Sequence, residues 1–140
     1  MNGNSNPTES IARQTMPYPV FVYGTLMKGQ RAAHMLDHCV YVGKFQLKDY
    51  GMYHLGRYPG IKPRKGENVF GEVYFVDEET RQMLDAYEEV GVLYDRAAVR
   101  VSAEGLTMDA EVYVYRGEVS ENSLIRRAWN AQDSDPNPHP

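Results

Sequence analysis

Apolar positions in this chain gather in short runs with period-2 alternation, and helical stripes are few. Val20-Phe21-Val22-Tyr23 is β-branched and aromatic and is cut off by Gly24, the pattern of a buried strand entering a tight turn. Arg31 to Asp37 shows helical spacing through Ala32, Met35 and Leu36. Val40, Val42, Phe45 and Leu47 predict a strand bent or bulged around Gly43. A turn at Asp49 leads to another strand over Tyr50 to Leu55. Gly56 to Asn68 contains Pro59, Gly60, Pro63 and Gly66, and its punctuation predicts a loop. Val69 to Val76 alternates as a strand, with Gly71 permitting close backbone approach.

Asp77 then reads as a helix N-cap, with Glu78 and Glu79 at the positive end of the helix dipole. The helix should run to about Tyr87, with Met83, Leu84 and Tyr87 at core spacing. Tyr94 to Ala103 and Thr107 to Tyr115 alternate around Glu104-Gly105 and predict a hairpin. Glu121 to Trp129 suggests a terminal helix. Residues 1–16 are polar and aperiodic and read as a disordered arm. The tail over 130–140 is expected to be disordered as well, since from Gln132 it holds prolines and aspartates and no large apolar side chain. Between them, 17–129 is one folded domain. Strands joined by short loops, with few helices, predict an α+β fold: a curled, mainly antiparallel sheet or small β-barrel.

The chain's 140 residues suffice for one sizeable core. Its formal net charge of −4 argues against nucleic acid as a partner, which calls for clustered Lys and Arg. Arg57, Lys62, Arg64 and Lys65 do cluster; they read as a solvated loop or as a patch for an anionic substrate. Cys39 is the only cysteine, so neither an intrachain disulfide nor a cysteine zinc cluster can form. No apolar stretch approaches the ~20 residues that span a membrane, and the first residues lack a signal-peptide core. A cytoplasmic protein without membrane contact is the expectation.

Candidate chemistry lies at two places. A strand ending in Tyr23-Gly24-Thr25-Leu26 leaves unpaired backbone N–H groups at a sheet end, where Gly24 lets a ligand approach the backbone. Such donors can bind a carboxylate or a carbonyl oxygen gaining negative charge. The glycine pattern of a phosphate loop is absent. Glu88 falls at the end of the helix, on the unfavourable side of its dipole, with Tyr87, Leu93 and Tyr94 near enough in sequence to desolvate it. Both effects raise a carboxylate's pKa toward neutrality and favour proton transfer. Alternatively, Glu88 is a solvated member of an acidic run with Asp85 and Glu89. His34, His38 and His54 lack a metal-ligand spacing and read as surface or capping residues. Cys39 has no identifiable base partner, and the many tyrosines suit sheet packing.

Taken in order, Phe21-Val22-Tyr23-Gly24-Thr25-Leu26, Tyr58-Pro59-Gly60-Ile61, Gly71-Glu72-Val73-Tyr74, Leu84-Asp85-Ala86-Tyr87-Glu88, Tyr94-Asp95-Arg96 and Val112-Tyr113-Val114-Tyr115 resemble the γ-glutamylcyclotransferase-like family. Within it, the γ-glutamylamine cyclotransferase and butirosin-deprotecting branch is most similar. The resemblance spans about Val20 to Tyr115. It implies a compact α+β fold with a mixed β-barrel, and a γ-glutamyl amide substrate cleaved by cyclisation to 5-oxoproline. It also implies a glutamyl cradle at Tyr23, Gly24, Thr25 and Leu26, Glu88 as the catalytic acid and base, and no metal or organic cofactor. Tyr115 is a further candidate for contact with the substrate. One departure stands out: Glu89 follows Glu88 where the family has glycine, so a register slipped by one would make Glu89 the base. A non-catalytic metabolite-binding module and a γ-glutamyl amide hydrolase are the alternatives.

Overall fold

A computed structural model describes residues 15–134. It contains β1 (Tyr18–Val22), β2 (Val40–His54), β3 (Pro59–Val76), α1 (Glu78–Tyr87), β4 (Tyr94–Ala103), β5 (Leu106–Tyr115) and the two-residue β6 (Leu124–Ile125). Short 3-10 turns cover Ala33–Leu36, Glu121–Ser123 and Ala131–Ser134.

Five strands close a mixed barrel. β1 runs parallel to β5, with Val20 opposite Glu111. The remaining contacts round the ring are antiparallel: β5 with β4, β4 with β2 at Gln46 and Ser102, β2 with β3, and β3 back to β1. β6 lies beside Met52 and Tyr53 of β2. The β4–β5 hairpin turns on Glu104 and Gly105, whose φ values of 45° and 86° are the left-handed pair that matches strand twist. Phe21, Ile61, Val73, Val76, Leu84 and Val112 are fully buried, so α1 packs its Leu84 into the same core that the strands enclose. Where β1 crosses β3, a Cβ on Gly71 would lie 2.3 Å from the Val22 carbonyl oxygen, a spacing only glycine allows.

The fold follows the sequence pattern with instructive exceptions. The expected turn at Asp49 is a bulge inside one long strand. Asp49 takes φ 65°, and its Oδ1 accepts the Gly66 N–H at 2.9 Å, which absorbs the register shift. The expected loop over Gly56 to Asn68 is mostly strand: only Gly56 to Tyr58 turn, and β3 begins at Pro59 opposite His54. Pro59 sits at the first position of its strand, where a missing N–H is tolerated, and Pro63 pairs with Tyr50 next to the bulge. The helix expected over Arg31 to Asp37 is a single 3-10 turn.

The terminal helix expected over Glu121 to Trp129 does not form. The segment gives a 3-10 turn and then β6, whose Leu124 and Ile125 pair with Tyr53 and Met52 of β2, with Arg64 on Glu121 at 2.6 Å and Arg126 on Glu67 beside it. The beginning of the expected tail carries a 3-10 turn over Ala131–Ser134. Asp133 pairs with Arg127 and accepts the Asn130 N–H, and its carbonyl lies 3.0 Å from His54 Nε2. Trp129 is buried there and stacks near His54. Residues 1–14 of the expected arm, and 135–140, lie outside the described residues.

Candidate active site

β1 ends by directing the chain across the mouth of the barrel. The Tyr23–Leu26 turn is held by the Met27 N–H on the Gly24 carbonyl and the Ala32 N–H on the Thr25 carbonyl. Buried Glu72 on β3 accepts the Lys28 N–H at 2.9 Å and fixes the far end of the turn. Gly24 lies against Pro59, where a Cβ would come within 2.5 Å of the proline ring. Among the described residues, the N–H groups of Gly24, Thr25 and Leu26 donate to no other group.

This turn, the end of α1 and the start of β4 surround a cavity of about 250 Å³. Tyr23, Gly24, Thr25 and Leu26 line it together with Glu88 and Glu89, so the two distant sequence segments do meet. Tyr58, Tyr87, Leu93, Tyr94 and Tyr113 supply much of the wall, and Arg31 reaches the same space. Most of the aromatic hydroxyls are already engaged. Tyr23 donates to the Tyr113 carbonyl at 2.6 Å, Tyr94 to the Pro59 carbonyl at 2.7 Å, and Tyr113 to Asp85 at 2.8 Å. Tyr87 shares a hydrogen bond of 2.8 Å with Thr25 Oγ1, which ties the turn to the helix end. Burial raises the pKa values of Tyr23, Tyr94 and Tyr113, so these hydroxyls stay protonated near neutral pH.

Glu88 is different. It caps α1, giving its N–H to the Leu84 carbonyl at 2.9 Å. Its side chain has no hydrogen-bond or ion-pair partner among the described residues. The residue is half-buried on the cavity wall, and desolvation raises the pKa of its carboxyl from 4.5 to about 7. The helix itself is anchored one turn earlier, where Asp85 pairs with Arg96 of β4 and accepts from Tyr113 of β5.

Glu89 is exposed and occupies the position after the helix cap, with φ 52°. The Glu89 N–H reaches the Ala86 carbonyl at 3.1 Å and the Val90 N–H reaches the Asp85 carbonyl at 3.0 Å. This pair of bonds is the Schellman termination, in which the left-handed residue is usually glycine. A glycine expected after Glu88 thus serves the backbone, and a non-glycine residue costs about 1 kcal/mol there.

Other candidates fall elsewhere. Tyr115 does not line the cavity; its ring packs edge-on against Tyr94, and its carbonyl accepts from Lys62 Nζ at 3.1 Å. Of the basic cluster, Lys62 is bound to the Tyr115 and Gly117 carbonyls and Arg64 to Glu121. These two cations are committed to internal contacts. His38 bonds Thr80 at 2.8 Å, and Cys39 is half-buried next to it with its thiol pushed up by burial. Arg31, Tyr113 and the Asp85 anchor were not recognisable as site residues from sequence: the Asp85–Tyr113–Arg96 contacts depend on the helix meeting β4 and β5, and Arg31 reaches the cavity from the loop after β1.

Comparison with known proteins places the chain in a family. Residues 20–131 match the family described as γ-glutamyl cyclotransferase, AIG2-like, and the chain belongs to that family. A γ-glutamylcyclotransferase family protein of Escherichia coli K12 is 36% identical over 115 residues, covering 81% of this chain and 97% of its own. A γ-glutamylaminecyclotransferase of Bos taurus is 34% identical over 108 residues, covering 69% of this chain and 64% of its own. The crystal structure of an AIG2-like protein from Mus musculus superposes with a TM-score of 0.70 at 27% identity, covering 82% of this chain and 88% of that one. No helix among the described residues is long and apolar enough to cross a membrane.

Proposed function

We propose that this protein is a cytoplasmic γ-glutamyl cyclotransferase that converts a γ-glutamyl amide to 5-oxoproline and a free amine. The observation that carries this reading is a desolvated, unpartnered Glu88 carboxyl in one cavity with three free backbone donors. Glu88 takes a proton from the substrate's α-ammonium, and the amine so formed attacks the γ-carbonyl carbon. The N–H groups of Gly24, Thr25 and Leu26 stabilise negative charge on the substrate, at its α-carboxylate or at the carbonyl oxygen during ring closure. The original C–N bond then breaks, and Glu88 returns a proton to the departing nitrogen. A carboxyl with pKa about 7 is suited to both transfers near neutral pH.

Because the attack is intramolecular, the cavity's main task is to hold the glutamyl chain folded. Effective molarities for such closures reach on the order of 10⁵ M or more. The aromatic wall favours this by excluding water, and its bound hydroxyls keep the rings fixed. Glu89 is exposed and Glu88 is not, which favours Glu88 as the proton carrier.

The test is turnover. Incubation with γ-glutamyl amines and γ-glutamyl dipeptides should release 5-oxoproline, read by mass spectrometry. Glu88→Gln should lose at least about a hundredfold in rate, the usual contribution of a positioned acid or base. Full activity in that variant would sink the assignment. Binding of glutamate or 5-oxoproline with no turnover would instead indicate a metabolite-binding module.

A further inference from the structure

Glu89 holds a backbone conformation that glycine adopts more easily, on the wall of the cavity, and its carboxylate has no partner among the described residues. Nothing in the proton transfers assigned to Glu88 uses that carboxylate. Strained residues of this kind gather at ligand-binding sites, where the side chain has work that offsets the conformation.

Chain geometry limits what Glu89 can meet. Glu88 and Glu89 line the same cavity, Glu88 half-buried and Glu89 exposed, so a substrate that reaches Glu88 passes the segment that carries Glu89. In the proposed reaction the leaving nitrogen approaches Glu88 to collect its proton. Tyr23, Thr25, Leu26 and Tyr94 are the buried part of the lining, where the proposed reaction puts the glutamyl half. The part of the substrate beyond the leaving nitrogen therefore runs out past the exposed residues of the lining, Glu89, Tyr58 and Tyr87. Arg31, the other charge there, belongs to the segment after β1 and gives a guanidinium N–H to the Arg57 carbonyl at 3.3 Å. Of the two rim charges, the one covalently next to the proton carrier is negative.

Resting on the proposed cyclotransfer, we propose that Glu89 is a specificity-determining residue that selects the leaving amine by charge. It favours γ-glutamyl amides whose amine carries a second, cationic nitrogen, and it disfavours amines that carry a carboxylate. The tyrosines of the rim contribute aromatic faces against which such a cation also rests favourably.

The experiment compares kcat/KM for mono-γ-glutamyl-1,4-diaminobutane and for γ-glutamyl-butylamine, which differ in one terminal ammonium. Wild type should prefer the diamine conjugate by about fivefold, the effect of one solvent-facing charge pair. Glu89→Gln, which keeps the backbone demand unchanged, should bring the ratio close to one, and Glu89→Lys should invert it. Matched melting temperatures of wild type and Glu89→Gln would show that the fold is intact. An unchanged ratio in Glu89→Gln, with both amides turned over, overturns the specificity role and leaves cyclotransfer standing. Turnover of neither amide by wild type, with γ-glutamyl dipeptides still releasing 5-oxoproline, overturns this inference alone, and release of 5-oxoproline from none of these substrates removes cyclotransfer and the inference with it.

Discussion

Glu88→Gln should inactivate the protein and stabilise it, with the gain appearing only as the pH rises. Burial holds the Glu88 carboxyl at about 7 against an ordinary 4.5. Between those values the folded chain keeps a proton that the unfolded chain has released. Wild-type stability therefore falls as pH rises from about 4.5 to about 7, and above 7 the whole cost is present. The gap corresponds to about 3 kcal/mol, reduced toward 1–2 kcal/mol by water reaching a half-buried residue. Glutamine is neutral throughout and escapes this cost. For a domain of this size that is a difference in melting temperature on the order of 3–8 °C at pH 8, shrinking toward zero near pH 4. Thermal unfolding followed by circular dichroism from pH 4 to 8.5 measures it. A variant whose melting temperature runs parallel to wild type across that range, or falls below it at pH 8, would refute the reasoning.

Three further outcomes are expected. Glu89→Gly should raise stability by about 0.5–1 kcal/mol, because it relieves the left-handed position while adding some unfolded-state entropy; a lower midpoint in urea would contradict the Schellman assignment. Gly71→Ala should cost at least about 2 kcal/mol, since its Cβ would meet the Val22 carbonyl oxygen at 2.3 Å and separate β1 from β3; unchanged thermal stability would rule out that close approach. The acid limb of kcat/KM should titrate near pH 7 if Glu88 must be ionised to act as base, and a limb near 4.5 would show that its carboxyl is hydrated in the working enzyme.

β1, the second half of β3, α1 with its Asp77 cap and the β4–β5 hairpin at Glu104-Gly105 were legible because each is fixed by local pattern or turn chemistry. The Asp77 side chain does accept the Thr80 N–H, at 2.8 Å. Gly56 to Asn68 misled because its prolines and glycines also suit a strand start and a bulge, which are defined by the partner strand. Glu121 to Trp129 misled because Leu124 and Ile125 pair with β2, a partner set by the distant strand and not by local spacing. In the site, the Tyr23–Leu26 turn and Glu88 were visible as chemistry. The engagement of Tyr23, Tyr94 and Tyr113 in structural hydrogen bonds was not, nor was the displacement of Tyr115 from the cavity. The glycine missing after Glu88 became intelligible only once the helix terminus showed what that position does.

The most direct test of intramolecular cyclisation is isotopic. A γ-glutamyl amide is turned over in water enriched in ¹⁸O, and the glutamyl product is weighed. The account predicts 5-oxoproline without incorporated ¹⁸O, because the attacking atom is the substrate's own nitrogen. Free glutamate carrying one ¹⁸O would contradict it and identify water as the nucleophile.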